Sequence, residues 1–139
     1  MLKVYLGGYM PTGDRSDWRE CFTAKLRTRF EACGSRGLFN VHDYLELLEP
    51  HANIEHYAMR DLRLLRQADV MVAYITPEVN KGVGVSWEMG WCFARGIPVI
   101  MVTERRGEVD YASWGLNEQF ASCIVPSLDA AAQVLFQMR

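Results

Sequence analysis

The sequence predicts an α/β protein with a flavodoxin-like, doubly wound parallel sheet of five strands in a single domain. Two apolar runs, 69–75 and 97–102, are rich in β-branched residues and are bounded by Gly or Pro, which is typical of buried parallel strands. Between them lies a helical segment that opens at Gly82 and Gly84 and stops at Gly96. Together they predict one strand–helix–strand unit, the connection that parallel strands require.

Three further apolar runs alternate with helical patterns and complete the predicted sheet: 2–6, 38–44 and 121–125. In the flavodoxin-like strand order 2-1-3-4-5, strands one and three lie side by side. The loops that follow these two strands then face each other across one crevice. We expect a ligand to bind there, outside the carboxyl ends of the strands.

The helices that cover this sheet have recognisable start signals and apolar stripes. Asp14 or Ser16 caps a first helix that extends to Ala32, and its apolar residues recur every four positions: Trp18, Phe22, Leu26 and Phe30. A second helix is expected over 54–67, and Ser127 caps the last one. We expect residues 103–114 to form a polar loop, which is long enough to favour a functional role.

Composition excludes several classes of protein. The chain has 139 residues, half of them apolar, so we expect one soluble domain over residues 1–139. Its net charge of −2, without long runs of like charge, argues against nucleic-acid and membrane partners. No apolar run is long enough to span a bilayer and no secretory leader is recognisable, so a cytoplasmic location is expected.

The cysteines show no pattern that predicts chemistry. Their positions have neither the spacing of metal ligands nor that of a redox pair: Cys21, Cys33, Cys92 and Cys123. We expect all four to be reduced core residues, since a free thiol behaves as a small apolar group. No metal ion or other cofactor is predicted.

Glu88 is the main candidate for chemistry. It is expected in the first turn of the helix after the run 69–75, where open α/β sheets place their ligands. Its neighbours Trp87, Met89 and Trp91 argue against a fully solvated position. The alternative is a surface carboxylate that stabilises the positive end of the helix dipole.

Asp61, Tyr5 and the glycines after the first strand are weaker candidates. Asp61 lies in the helix before the run 69–75, and its alternative is a surface ion pair with a neighbouring arginine. Tyr5 points either into the core or over the crevice. Gly7 and Gly8 follow the first strand but lack the GxGxxG and GKS/GKT patterns of nucleotide-binding loops.

Three segments resemble the nucleoside 2-deoxyribosyltransferase family, which also includes nucleoside 5′-monophosphate N-glycosidases. The segments are VYLGGY at 4–9, ADVMVAYI at 68–75 with GVGVSWEMGWCFARGIPVIMV at 82–102, and YASWGLNEQF at 111–120. The resemblance spans nearly the whole chain, and its second segment is the most specific. It implies a flavodoxin-like enzyme that cleaves the N-glycosidic bond of 2′-deoxynucleosides.

The resemblance also implies roles for particular residues. Glu88 matches the nucleophile that attacks C1′ of the sugar. Asp61 matches the acid that handles the proton of the base, and Tyr5 matches the tyrosine that holds the nucleophile by a hydrogen bond. Asp110 falls where transferases place an asparagine that reaches across from a neighbouring subunit to the 5′-hydroxyl of the sugar. A homo-oligomer (dimer, tetramer or hexamer) with shared active sites is therefore expected.

The predicted substrate-binding residues lie in or beside the loops at the carboxyl edge: Gly7, Gly8, Tyr9, Gly82, Gly84, Trp87, Asp110 and Ser113. Tyr9 and Trp87 offer faces on which a base can stack, with a place in the core as the alternative. Gly82 is a departure from the family, since transferases usually carry there an aspartate that contacts the base. The GVG sequence at 82–84 is closer to that of the monophosphate hydrolases.

We therefore expect a nucleoside 2′-deoxyribosyltransferase that acts through a covalent deoxyribosyl–Glu88 intermediate. Its partners are a 2′-deoxynucleoside and a nucleobase that receives the sugar. One alternative is a 5′-monophosphate N-glycosidase, with Lys81, Arg105 and Arg106 available to bind the phosphate; Asp110 would repel that group. The other alternative is a non-catalytic nucleotide-sensing module that uses the same crevice.

Overall fold

A computed structural model of the chain describes residues 2–8, 18, 21–22, 26, 39–41, 57–76, 84–104 and 111–138. Its strands and helices, in chain order, are β1 Leu2–Gly8, β2 Phe39–Val41, α1 Tyr57–Leu65, β3 Val70–Tyr74, α2 Gly84–Ala94, β4 Val99–Val102, α3 Tyr111–Phe120, β5 Cys123–Val125 and α4 Leu128–Gln137. Four residues before β2 are also helical: Trp18, Cys21, Phe22 and Leu26. Among these described elements, no helix is long and apolar enough to cross a membrane.

The described strands form one parallel sheet in the order β2-β1-β3-β4-β5. The predicted α/β class with a parallel sheet is confirmed, and these strands have the predicted order. The number of strands in the whole sheet stays a prediction. Because β1 and β3 are neighbours, whereas Phe22 and α2 pack on opposite faces of the sheet, the carboxyl ends of these two strands are the switch point at which folds of this class place a crevice.

Alternation along the strands divides the core into two layers. Tyr5, Met71 and Met101 face the layer that contains α1 and α2, whereas Leu6 and Val72 face the layer that contains α4. Phe22 and Leu26 pack in the second layer, so the apolar stripe predicted for the first helix is confirmed at these two residues. Strands β3 and β4 and residues 4–7 of β1 are buried on both faces except for Tyr74, which explains why they read as continuous apolar runs.

Two local signals, the glycine after α2 and the serine before α4, have the structure that the sequence predicts, and Asp69 adds a further tie between strands. Asp69 joins β1 to β3, because its carboxylate accepts from the Lys3 N–H at 2.8 Å and its own N–H donates to the Lys3 carbonyl. Gly96 has φ +71° just after α2, a left-handed conformation that glycine adopts readily. Ser127 caps α4 by accepting from the Ala130 N–H at 3.1 Å.

Two predictions about structure are wrong. Residues 111–114 belong to helix α3 rather than to a polar loop. Packing of Phe120 against Phe93, with ring centroids 5.4 Å apart, stabilises a helix that its own Gly and aromatic content does not favour. Cys21 is exposed and so is not a core residue, whereas Cys92 is buried as expected. The predicted caps Asp14 and Ser16, and also Phe30 and Cys33, lie outside the described residues.

Candidate active site

Glu88 is placed by helix α2, whose buried residues follow helical spacing: Val85, Glu88, Met89 and Cys92. The helix therefore turns this carboxylate towards the sheet together with three apolar side chains. Glu88 is only 6 % exposed, which rules out a solvated carboxylate whose only role is to stabilise the helix dipole. The sequence predicts Glu88 in the first turn of this helix. Because α2 begins at Gly84, Glu88 lies in the second turn instead.

Gly7 makes room for the Glu88 carboxylate at the end of β1. A Cβ atom built on Gly7 would lie 2.6 Å from Glu88 Oε2, 2.7 Å from Met71 Cε and 3.4 Å from Tyr5 Cε1. Real Cβ atoms do not approach other atoms as closely as the first two distances. Three side chains thus converge on Gly7, which has no side chain of its own, and this convergence places Tyr5 beside Glu88.

Gly8 permits a second close approach, between β1 and β3. Its φ is +111°, and a Cβ atom on it would collide with the carbonyl oxygen of Tyr74. Any other residue there is disfavoured both by its backbone conformation and by this contact. The sequence places Gly7 and Gly8 in the loop after the first strand, but in the structure they are the last two residues of β1, at the carboxyl edge of the sheet.

Tyr5 is fully buried on the sheet face that α1 and α2 cover. The two alternatives for its side chain, core and crevice, are thus compatible: the ring belongs to the core and one edge approaches Gly7 beside Glu88. A tyrosine held in this way is rigid, because its neighbours in the core fix the ring.

Asp61 is buried as well, at 3 % exposure, so it is not the solvated surface acid of the alternative reading. It precedes Leu65 by four residues, hence by about one helical turn, and Leu65 belongs to the core layer that contains Tyr5 and Met89. Since α1 leads into the start of β3, its first turns point towards the carboxyl edge of the sheet. Asp61 therefore lies on the same sheet face as Glu88, towards the same edge.

The remaining predicted residues are less completely described. Gly84 is the first residue of α2 and has open space where a Cβ would lie. Trp87 is 44 % exposed on α2 and is not a core residue. Ser113 lies in α3. Tyr9, Gly82 and Asp110 lie outside the described residues.

Two buried polar residues on α2's side of the sheet were not predicted as site residues. Thr103 directly follows β4, and the alternation of that strand points its side chain to the same face as Met101. Asn117 lies in α3, one turn before Phe120, and is 1 % exposed. Thr103 Oγ1 and Asn117 Nδ2 have no hydrogen-bond partner within the part of the chain that the structure describes, which is unusual for buried polar groups.

Cys92, one turn after Glu88 on the same helix, does not compete with it as the nucleophile. Burial, reinforced by the nearby charge of Glu88, raises the pKa of Cys92 to about 12. The thiolate needed for nucleophilic attack is therefore absent near neutral pH. The described residues also contain no group of three or more His, Cys, Asp or Glu side chains that could hold a metal ion.

A parallel α/β sheet in the order 2-1-3-4-5 is that of a flavodoxin-like fold, a class in which ligands bind outside the carboxyl ends of the strands. The sequence profile of the nucleoside 2-deoxyribosyltransferase family matches residues 4–125. The chain belongs to this family, whose members are enzymes of glycosyl transfer or N-glycosidic bond cleavage.

One relative is similar enough in sequence to bear on function. A protein of Thermofilum pendens named as a 2′-deoxynucleoside 5′-phosphate N-hydrolase is 31 % identical over 144 residues, which cover 99 % of this chain and 94 % of that protein.

Solved structures show the same fold at lower identity. A conserved protein from Enterococcus faecalis has a TM-score of 0.74 at 17 % identity and covers 100 % of this chain and 99 % of its own. A 2-deoxyribosyltransferase from Bacillus psychrosaccharolyticus has a TM-score of 0.61 at 15 % identity, and the match covers 94 % of this chain and 90 % of that one. A CMP N-glycosidase from Clostridium botulinum has a TM-score of 0.58 at 17 % identity, and the match covers 99 % of both chains.

Substituting Gly7→Ala should displace the Glu88 carboxylate, because the new methyl group would occupy its place. We expect kcat/KM for N-glycosidic cleavage to fall about 100-fold, the effect of moving a catalytic group by about 1 Å. The matched control is Gly90→Ala, where the added Cβ would meet Phe120 at 3.4 Å, an ordinary contact. Wild-type kcat/KM in a folded Gly7→Ala protein, with folding checked by thermal melting, would contradict the close packing at Gly7.

Proposed function

We propose that this protein is a nucleoside 2′-deoxyribosyltransferase that cleaves the N-glycosidic bond of a 2′-deoxynucleoside through Glu88 and transfers the sugar to another nucleobase. The observation that carries the proposal is the burial of the Glu88 carboxylate against Gly7, beside Tyr5. We further propose that the domain spans residues 1–139 and that its whole sheet has five strands.

In the first step Glu88 attacks C1′ of the sugar. A bond forms between a carboxylate oxygen and C1′ while the bond from C1′ to the base nitrogen breaks, and the electron pair leaves with the base. The transition state resembles an oxocarbenium ion, so a nearby carboxylate stabilises the positive charge as it develops. The resulting ester divides one difficult displacement into two easier ones. A second nucleobase then attacks C1′ and releases Glu88.

Asp61 and Tyr5 have supporting roles in this mechanism. Asp61 gives a proton to the departing nitrogen of the base, as a general acid does. Its burial on Glu88's side of the sheet, close to the carboxyl edge, supports this role. Tyr5 fixes the orientation of Glu88 in this mechanism, which the approach of the Tyr5 ring to Gly7 supports.

Hydrolysis of a 2′-deoxynucleoside 5′-phosphate is the second candidate function. The name of the 31 % identical relative favours it, and so does Gly82 at the position where transferases usually carry an aspartate. In this reaction water attacks the same ester. A phosphate needs cationic donors, which Lys81, Arg105 or Arg106 would supply, whereas Asp110 suits a free 5′-hydroxyl. A sensing module that performs no chemistry has no need for two buried carboxylates, and we do not favour it.

We also propose a homo-oligomer with shared active sites. Exposed apolar side chains on two helices support this: Trp87 and Phe93 on α2, and Leu116 on α3. Large exposed aromatic and aliphatic side chains are among the residues that protein association buries. A second subunit over this surface would bury more of a nucleoside than the crevice of one small domain does.

Incubation with deoxyinosine and adenine, or with deoxynucleoside 5′-monophosphates, separates these functions. Transfer yields hypoxanthine and deoxyadenosine, hydrolysis yields free base alone, and cleavage restricted to the monophosphates identifies the second candidate. Glu88→Ala and Glu88→Gln should each lower the rate at least about a thousandfold, because the nucleophile is lost. Undiminished activity in these folded variants would exclude a glycosyl–Glu88 intermediate.

Asp61→Asn should affect substrates according to their leaving groups. We expect a loss of at least about 100-fold with natural bases, which need a proton as they depart. A nitrophenyl deoxyriboside, whose leaving group needs none, should lose much less. Steady-state kcat/KM for the two substrates gives the comparison, and an equal loss for both would indicate a structural role for Asp61.

A shared active site predicts complementation between inactive chains. Glu88→Ala and Asp110→Ala proteins, each inactive alone, should recover part of the wild-type activity after they are mixed and allowed to exchange subunits. Sedimentation gives the oligomeric state at the concentration of the assay. A monomer that is fully active at this concentration is incompatible with the proposal.

A further inference from the structure

Beneath Glu88, the residues on this face of the sheet change from large to small. In the parallel register of β1 and β3, Tyr5 pairs with Met71 and Gly7 pairs with Ala73. Two large side chains on one face are therefore followed, towards the carboxyl edge, by a glycine and an alanine. The Glu88 carboxylate lies over Gly7 and Ala73, and the side chains of Tyr5 and Met71 form the wall on its inner side.

Met71 connects two parts of this wall. Its methyl carbon lies 2.7 Å from the Cβ position built on Gly7, and Glu88 Oε2 lies 2.6 Å from the same point. Its sulfur lies 3.9 Å from the Cys92 sulfur, one helical turn beyond Glu88. Met71 and Cys92 are both fully buried. One thioether side chain thus extends from Cys92 to the neighbourhood of the carboxylate.

We propose that Met71, held in place by Cys92, is a positioning residue for Glu88; the inference rests on the proposed nucleophilic role of that carboxylate. Methionine suits this place because it is unbranched and long enough to reach Gly7 from the register of Tyr5. A β-branched residue there would fill the core but would end short of the carboxylate. The thioether also presents carbon and sulfur, and no strong hydrogen-bond donor, to the inner side of Glu88.

The Met71 side of this wall is apolar and favours the first chemical step. A carboxylate loses its charge when it forms the ester with C1′, and an apolar surface stabilises the neutral ester relative to the charged group. A hydrogen-bond donor at the same place would bind the carboxylate more strongly than the ester. It would therefore slow the attack on C1′ even if the shape of the site were kept.

The simpler explanation is that Met71 only fills the core. Met101 offers the comparison, because it is equally buried and faces the same core layer from the neighbouring strand β4. A role limited to packing predicts equal consequences at the two methionines. A positioning role predicts that only Met71 responds to Glu88, and that only changes at Met71 slow the chemical step.

Methyl NMR tests the contact without any need for activity. The protein is labelled with [methyl-¹³C]methionine, and the Met71 and Met101 signals are assigned with Met71→Leu and Met101→Leu. Introducing Glu88→Gln should move the Met71 signal clearly and leave the Met101 signal almost in place. Equal shifts for both methionines, or none for Met71, would overturn the proposal.

Single-turnover release of base tests the consequence for catalysis. Met71→Leu, which is apolar but shorter, should slow release about threefold. Met71→Gln, which matches methionine in length but carries donors, should slow it about tenfold, the effect of one hydrogen bond to a charged group. Met101→Leu and Met101→Gln should lose comparable stability in thermal melting yet release base within about twofold of the wild type.

The two kinds of failure are distinguishable. If the wild type and Glu88→Gln both fail to release base from any deoxynucleoside or its 5′-phosphate, the proposed function is wrong, and the NMR comparison still decides the contact. If the wild type is active but Met71 and Met101 variants slow in proportion to their loss of stability, Met71 is a packing residue only. Should Met71→Gln fail to fold, the Leu variants and the NMR shifts decide.

Discussion

The burial of one carboxylate in the apolar stripe of a helix is the constraint on which this site depends. Removing a charged group from water is costly unless its surroundings compensate, so the neighbours of Glu88 are restricted. Gly7 must lack a side chain, and Gly8 must take a left-handed conformation so that β1 and β3 can approach. Ordinary sheet packing then holds the acid near the carboxyl edge of the sheet, where folds of this class place their ligands.

Much of the architecture follows from local signals. Apolar runs bounded by turn residues identify strands that are buried on both faces, and the parallel class follows from their alternation with helices. Glycine at the end of α2 and serine at the start of α4 act through their own backbone and side-chain chemistry, so a single sequence reveals them. The positions of Glu88 and Asp61 on helices beside β3 follow from the same reasoning.

Properties that depend on tertiary contact were not accessible in this way. Helix α3 has a weak propensity of its own and is stabilised by Phe120 against α2. The burial of Asn117 and Thr103 depends on which neighbours cover them, as does the exposure of Cys21. The approach of Met71 to Gly7 depends on strand register and side-chain length together, and no spacing rule contains both.

The stripe of α2 has a consequence for how this protein evolves. Three of its four buried residues contribute to the core, while Glu88 occupies a place where an apolar residue would pack with less loss. Selection for stability alone would therefore tend to remove the acid, and the catalytic role proposed for Glu88 would keep it. A lineage released from that chemistry should lose the carboxylate early and keep the fold, since the surrounding core already suits an apolar side chain.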